Sequence, residues 1–130
     1  GNYLEYSWAA QQKGRAVLLT PKNQGGRAPW TTVEDTTFAF NVVTNAAQGF
    51  EISTSGQGCR PSMVQQRTVL KHNFIQVDQD TYGSDGRVIE VSSPGEVGVG
   101  GTPINGMHIG HNTMVIVSGQ GFLYVGDHAP

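Results

Sequence analysis

An acidic segment in the second half of the chain carries the residue types that bind calcium. Three carboxylates stand close together in a stretch that also contains glycine, namely Asp78, Asp80 and Asp85. Calcium requires several oxygen ligands and a sharp backbone bend. However, Tyr82 occupies the place of a further oxygen ligand, and Ile89 stands where the closing glutamate belongs. Because Asp-Gly is a strong two-residue turn signal, Asp85-Gly86 favours a hairpin turn over a metal site.

A second candidate site is a pair of histidines three residues apart, His108 and His111, in a glycine-containing segment before an apolar run. Two imidazoles at the start of a strand could hold a transition metal. No glutamate follows them to complete a ligand set, and such histidines are more often plain polar loop residues. We therefore predict no metal-ligating residue, although a small metal-dependent β-barrel enzyme using this pair stays open as a hypothesis.

Nucleophilic catalysis has no sequence support. Cys59 is the only cysteine, so no intrachain disulfide can form, and the adjacent Arg60-Pro61 offers no proton acceptor to activate the thiol. The chain contains no Gly-x-Ser-x-Gly elbow and no phosphate-binding loop. We predict no catalytic or cofactor-binding residue and no cofactor, and we favour a protein that is not an enzyme.

Aromatic side chains suggest contacts with other molecules. Trp30 lies in a predicted loop between Pro29 and two threonines, where it could form a carbohydrate platform or cap the core. The N-terminal region 1–14 reads either as a short helix or as an extended arm, and its aromatic residues favour an interface: Tyr3, Tyr6 and Trp8.

Composition limits the partners. Charged residues make up 14% of the 130-residue chain, and the formal net charge is −2. The charge is uneven: seven Lys/Arg and four Asp/Glu up to Lys71 give +3, whereas one Arg and six Asp/Glu after it give −5. This asymmetry could orient one subunit against the next. Basic residues are not clustered, which argues against nucleic acid, and no apolar run is long enough to span a membrane.

The elements that must position these residues are short β-type runs separated by turn residues. Residues 15–20, 36–44, 67–78 and 87–92 read as strands, with 49–53 pairing back onto 36–44 across a turn at 45–48. Both faces of 67–78 carry apolar residues, which fits a strand that lies between two layers or one that bends midway. No helix alternates with these strands, and no internal repeat is evident. The pattern predicts a single all-β domain over 1–130, an antiparallel β-sandwich or jelly-roll-like fold of about eight short strands.

These features favour a non-enzymatic structural or surface-binding protein, a virion, phage or appendage-type β subunit that acts through oligomeric assembly. Self-association or contact with other assembly subunits is the expected partnership. A lectin-like carbohydrate-binding module is the alternative, and the metal-dependent enzyme is the third hypothesis. The low charge and the polar uncharged residues predict an extracellular or particle-surface location, and no signal peptide is visible.

Overall fold

The computed structural model describes residues 1–10, 13–54, 59–92 and 102–126, and 59% of these residues lie in strands. There are fourteen strands and one four-residue helix in this part of the chain. The strands are β1 (Tyr3–Ser7), β2 (Arg15–Leu19), β3 (Asn23–Gln24), β4 (Glu34–Ala39), β5 (Val42–Ala46), β6 (Gln48–Ser53), β7 (Cys59–Arg60), β8 (Gln65–Lys71), β9 (Phe74–Asp78), β10 (Arg87–Ser92), β11 (Ile104–Asn105), β12 (His108–Gly110), β13 (Thr113–Ser118) and β14 (Gly121–Gly126), and the helix is α1 (Gln79–Tyr82).

The strands form three parallel sheets that share one set of coils. Sheet 1 has the order β1-β5-β9-β13, and sheet 2 has the order β2-β6-β10-β14. In sheet 3, β8 lies between β4 and β12 and also pairs with β11. The chain contributes one strand to sheet 1, one to sheet 2 and one to sheet 3, and then returns to sheet 1. Each such passage through the three sheets is one coil, and successive coils stack on one another. Three coils follow this path, and a fourth contributes β13 and β14, so the fold is a parallel β-solenoid.

This topology shows that the predicted antiparallel β-sandwich or jelly-roll is wrong. Every strand pair in the three large sheets is parallel, and the one antiparallel pair among the described residues joins the two-residue strands β3 and β7. The all-β content is confirmed. The error arose because short alternating runs bounded by turns have the same pattern in a sandwich and in a solenoid. What differs is the partner of each strand, which is one coil away in the sequence.

Two-residue corners explain why the strand limits were misread. Region 36–44 was predicted as one strand, but Phe40 has a φ of 59° and separates β4 from β5. In the same way His72, with a φ of 54°, divides 67–78 into β8 and β9. Left-handed backbone turns the chain sharply, and outside glycine it leaves little trace in sequence. The predicted pairing of 49–53 with 36–44 is also wrong, because β6 lies in a different sheet from β4 and β5.

The N-terminal segment is neither a helix nor a detached arm. Its residues Tyr3–Ser7 form β1, which pairs in parallel with β5 at the edge of sheet 1. The strand prediction for 15–20 is confirmed by β2, and that for 87–92 by β10. The predicted hairpin at Asp85-Gly86 is wrong: β9 and β10 belong to different sheets, although Gly86 does have the positive φ expected of a turn residue.

The core is a set of apolar columns that run along the solenoid axis. Because stacked strands are in register, each inward position repeats from coil to coil. Leu4, Val43, Ile75 and Met114 form such a column in sheet 1, with Val43 and Ile75 fully buried. Between the columns, Phe38 and Phe50 meet edge to face, with 5.5 Å between ring centroids. Helix α1 spans only four residues, and no described helix has the length and apolar character needed to cross a bilayer.

An asparagine ladder occupies the corner between sheet 3 and sheet 1. It consists of one residue per coil, at the same corner position: Asn2, Asn41, Asn73 and Asn112. The side-chain Oδ1 of each later asparagine accepts hydrogen bonds from both the backbone N–H and the Nδ2 of the preceding one, at 2.9–3.1 Å. Beside the ladder, the rings of Phe40, His72 and His111 stack at 5.0 and 5.1 Å. The ladder satisfies the backbone N–H groups of the first three asparagines at this corner, while their carbonyls accept from the backbone of the following coil.

Candidate functional site

The three carboxylates that were considered as calcium ligands do not converge into a metal site. Asp78 caps helix α1 by accepting from the Thr81 backbone N–H at 3.2 Å, and it also accepts from the Ser118 hydroxyl at 2.8 Å. Hydrogen bonding from the side chains of Thr81 and Ser118, with a smaller contribution from backbone N–H groups, holds the pKa of Asp78 below its usual value. Asp85 instead faces Lys13 and Arg87, at 3.9 and 3.6 Å. Within the described ranges, no group of three or more His, Cys, Asp or Glu residues could hold a metal ion.

The two candidate metal-binding histidines have different structural surroundings. His108 lies exposed on β12, whereas His111 is the corner residue after that strand and stacks on His72. His111 therefore extends the ring stack beside the asparagine ladder. Its ring has a packing role that sequence reasoning missed, and the metal-dependent enzyme hypothesis gains no support from the described residues.

The aromatic residues that were predicted to lie at interfaces are exposed. Trp30 is 68% exposed, so it does not cap the core, and its use as a sugar platform stays a prediction. On the first coil, Tyr3, Tyr6 and Trp8 are each more than half exposed, and Trp8 rests edge to face against Tyr82 at 4.8 Å. The side chain of Cys59 lies outside the described residues.

A charge cluster lies on sheet 2 and was not predicted. Its six members come from three successive coils and carry both signs, and they are Lys13, Arg15, Glu51, Asp85, Arg87 and Glu90. Glu51 pairs with Arg15, while Glu90 lies 3.4 Å from Lys13 and 3.2 Å from Arg87. Glu51 and Glu90 are register partners on adjacent strands and are only 7% and 2% exposed. Strand pairing thus brings together two carboxylates that are far apart in sequence.

The electrostatics of the charge cluster favour a structural role. Burial alone raises the pKa of Glu90, but a 2.7 Å hydrogen bond from Gln48 and the charges of Lys13 and Arg87 outweigh burial and lower the pKa. A general acid needs the opposite shift, since it must keep its proton near neutral pH. Glu90 is held as an anion against Lys13 and Arg87, so it is not poised to donate a proton, and the ion pairs of the cluster join the coils.

The cluster predicts an acid-sensitive step in stability. A carboxyl group whose pKa is lowered by folding adds stability above its ordinary pKa, near 4.5 for Glu90, and that stability is lost as the pH falls through the folded value. Glu90→Gln is expected to cost about 2 kcal/mol at pH 7, the scale of hydrogen bonds to charged groups. Thermal unfolding of this variant should also change less between pH 6 and pH 3 than that of the parent protein.

The matched control is Asp35→Asn. Asp35 is also ion-paired, to Arg67 at 2.5 Å, and its pKa is likewise lowered by that hydrogen bond, but both groups are exposed. Exposed pairs add little to stability, so this variant should stay close to the parent protein. Equal effects of the two substitutions would contradict a structural role for buried Glu90.

The two ends of the solenoid form the more prominent candidate site. The terminal coil, residues 113–126, contains no charged side chain, and β13 and β14 are edge strands of their sheets. Four of its apolar side chains are more than half exposed: Val117, Phe122, Leu123 and Val125. Soluble proteins usually protect such edges with charges or with proline. Among the described residues the terminal coil carries neither protection.

The opposite end is aromatic and concave. There, β1 and β2 are the edge strands of sheets 1 and 2. A depression of about 500 Å³ opens between them and is lined by residues that include Tyr3, Tyr6, Ala16 and Ala46. The surfaces of the two end coils therefore differ. The first coil has exposed aromatic rings beside a depression, whereas the terminal coil has exposed aliphatic and aromatic side chains along an uncharged edge.

The asparagine ladder ends in complementary groups. Asn2 Oδ1 accepts no hydrogen bond from the described residues. At the other end, the Asn112 backbone N–H has no acceptor in the described part of the chain, although each earlier asparagine N–H finds one in the coil that follows. One end of the ladder therefore offers an acceptor and the other offers a donor.

Sequence reasoning missed the ladder although a signal was present. The asparagines are 39, 32 and 39 residues apart, and each is followed by an alternating apolar run. A regular spacing of this kind is the mark of a repeat architecture, so the expectation of no internal repeat is wrong. The charge cluster had no such signal, because its members meet only once the register is known. Comparisons of the chain with protein-family models, with curated proteins and with solved structures gave no match.

Proposed function

We propose that this protein is a non-enzymatic structural subunit that acts by stacking, end to end, into an extended assembly of a virion, appendage or other extracellular particle. The supporting observation is the terminal coil, whose edge strands carry exposed apolar side chains and no charge. A parallel edge strand offers unpaired backbone groups that another strand can extend. Here both sheets that end in the terminal coil offer such an edge at the same level.

The energetic argument rests on how solenoids are stabilised. Each coil contacts only its neighbours, so a coil at an end lacks half of the packing that an inner coil receives. Inner residues such as Ile52 and Val77 are fully buried, whereas Val125 is 73% exposed. Covering the terminal coil would remove this apolar surface from water at about 25 cal/mol per Å². The charge cluster supports the same role, because its carboxylates serve to join coils.

The test is the native mass of the protein at several concentrations, measured by sedimentation or light scattering. We expect the mean mass to rise with concentration, and Val125→Lys to abolish the rise by placing a charge at the exposed edge. The matched control is Met63→Lys, because Met63 is 54% exposed but does not lie in an end coil. A parent protein that stays monomeric at millimolar concentration would contradict the proposal.

A further inference from the structure

A basic lobe lies on the side of the solenoid, where the chain passes from sheet 2 to sheet 3. It consists of residues 20–33, which join β2 to β4, and of residues 59–64, which precede β8, and β3 pairs with β7 inside it. Lys22, Arg27 and Arg60 are exposed on this lobe, and so is Trp30. Neither segment of the lobe contains an aspartate or a glutamate.

We propose that the basic lobe binds an acidic polysaccharide. The indole of Trp30 stacks on one sugar ring, and the cations of the lobe bind the carboxylate or sulfate groups of the chain. This binding site goes beyond the assembly role proposed above and does not depend on it, because the lobe is formed by side connections of the coils.

Asn23 fixes the two segments of the lobe to each other. Its side chain is only 2% exposed, and its Nδ2 donates to the Pro61 carbonyl at 2.8 Å. Its Oδ1 accepts from the Ala28 N–H at 2.8 Å, and its carbonyl accepts from the Gly26 N–H at 3.2 Å. The lobe is therefore ordered before a ligand arrives, and a preorganised surface loses less conformational entropy on binding.

Trp30 lies at the tip of a tight turn. The Thr31 N–H and hydroxyl both donate to the Ala28 carbonyl, at 3.1 and 3.0 Å, and Pro29 occupies the second position of the turn, where its fixed φ is favoured. The Met63 N–H donates to the Thr31 carbonyl at 3.0 Å and ties the turn to the second segment. The backbone is thus held in place while the indole is 68% exposed. A large ring on an ordered backbone offers contact area at little cost in entropy.

The positive charges of the lobe lie close together. An added Cβ at Gly26 would sit 3.3 Å from Arg60 Cγ, so Arg27 directly follows a residue that contacts Arg60. Lys22 precedes Asn23, which is the register partner of Arg60. Lys22 and Arg27 form no ion pair with any residue that the structure describes. Because like charges repel, such a cluster is stabilised by a bound anion.

The two acidic residues that directly follow the first segment are already paired. Arg67 of β8 contacts Glu34 at 2.8 Å and Asp35 at 2.5 Å. Gln66 also donates to Glu34 at 2.8 Å. These carboxylates are therefore engaged on sheet 3, and the positive potential of the lobe remains available to an anionic ligand.

The class of ligand follows from the combination of one exposed ring with a small number of cations. Duplex nucleic acid carries one charge per about 1.7 Å of its axis, and proteins that bind it contact many phosphates. The lobe has three cations in a chain whose formal net charge is −2, so the remaining surface would repel so dense a polyanion. Acidic polysaccharides have more widely spaced charges and sugar rings with an apolar face. Arginine pairs with their carboxylates through two parallel hydrogen bonds.

Isothermal titration calorimetry with three oligosaccharides of equal length tests the site. The probes are an oligogalacturonate, a sulfated dextran oligosaccharide and a neutral dextran oligosaccharide. We expect at least one acidic oligosaccharide to bind at millimolar concentration, the neutral one not to bind, and the affinity to fall as salt screens the charges. In a Trp8→Phe background Trp30 is the one remaining tryptophan, so its fluorescence should change on binding.

Single substitutions locate the binding surface. Trp30→Ala and Arg27→Gln should each weaken binding by about ten-fold, as truncation of an anchor residue does. The matched controls are Phe40→Ala, which removes another exposed ring, and Lys71→Gln, which removes a cation at the far end of β8. Both controls should bind like the parent protein.

The outcomes distinguish this proposal from its alternatives. Absence of binding by both acidic oligosaccharides, equal binding by the neutral one, or unchanged affinity in either lobe variant would overturn it. Binding to phosphatidylserine vesicles or to a single-stranded oligonucleotide, without binding to the acidic oligosaccharides, would replace the polysaccharide with a membrane or a nucleic acid. The native mass is measured separately, so failure of the assembly proposal leaves this test unaffected.

Discussion

Asn73→Ala is expected to lower the free energy of unfolding by about 4 kcal/mol, the largest single effect that we predict in this protein. The side chain is 2% exposed and makes four hydrogen bonds. It accepts from the backbone N–H and the Nδ2 of Asn41, and it donates to Asn112 Oδ1 and to the Phe38 carbonyl. Alanine would leave the buried N–H of Asn41 without its acceptor, and each such orphaned group costs about 1–3 kcal/mol.

Chemical denaturation with urea, followed by circular dichroism, measures this loss. Asn2→Ala is the matched control, because Asn2 is exposed at the open end of the ladder and should lose less than about 1 kcal/mol. Asn73→Asp separates the effect of lost hydrogen bonds from the effect of lost volume. The aspartate side chain has nearly the same size as asparagine, but its carboxylate cannot donate a hydrogen bond to Asn112 Oδ1. This variant should be less stable at pH 7 than at pH 4, since burial near an acceptor disfavours ionisation. A loss below about 1 kcal/mol for Asn73→Ala would contradict this account of the corner.

Gly49→Ala is expected to cost about 3 kcal/mol, because it forces an atom into packed backbone. Gly49 lies in β6, where an added Cβ would sit 2.2 Å from the Val88 carbonyl oxygen and 2.9 Å from Ile75 Cγ2. Val88 belongs to β10, the neighbouring strand of sheet 2, so the carbonyl cannot retreat without disturbing the strand pairing that joins two coils. The effect should appear as a lower thermal midpoint.

Gly121→Ala is the control in the same sheet. Gly121 begins β14, and an added Cβ would meet no atom within 4 Å. Surface substitutions without such contacts usually change stability by less than about 0.5 kcal/mol. Similar losses for the two alanine variants would show that glycine flexibility, and not the close approach of Val88, determines the cost at position 49.

Local patterns in the sequence predicted strands well and predicted their partners poorly. Residues 15–20 and 87–92 were recognised because their apolar residues have strong β preference. The corner at Phe40 was missed, and the one at His72 was anticipated only as a bend within 67–78, because each places a non-glycine residue at positive φ, which the asparagine ladder stabilises from the neighbouring coils. The sequence of a single strand does not indicate which strand of the neighbouring coil pairs with it. That information appears only in the spacing between Asn2, Asn41, Asn73 and Asn112.

The candidate site was still less accessible to sequence reasoning. Glu51 and Glu90 are adjacent only through the register of β6 and β10, and nothing near either residue in the sequence indicates the other. The aromatic residues Tyr3, Tyr6 and Trp8 of the first coil were predicted to favour an interface, and the structure shows that their side chains are exposed. Whether that surface binds another subunit stays a prediction until the native mass is measured.

The constant two-residue corner has a consequence for how such a chain can change in length. Phe40–Asn41, His72–Asn73 and His111–Asn112 join sheet 3 to sheet 1 identically, whereas the connections from sheet 2 to sheet 3 are longer. Duplication of residues 42–73 would therefore add one full turn of the screw and return the polypeptide to an equivalent corner. Adding whole coils would lengthen the solenoid and leave its cross-section unchanged. The length of the protein can therefore vary independently of the longer connections between sheet 2 and sheet 3.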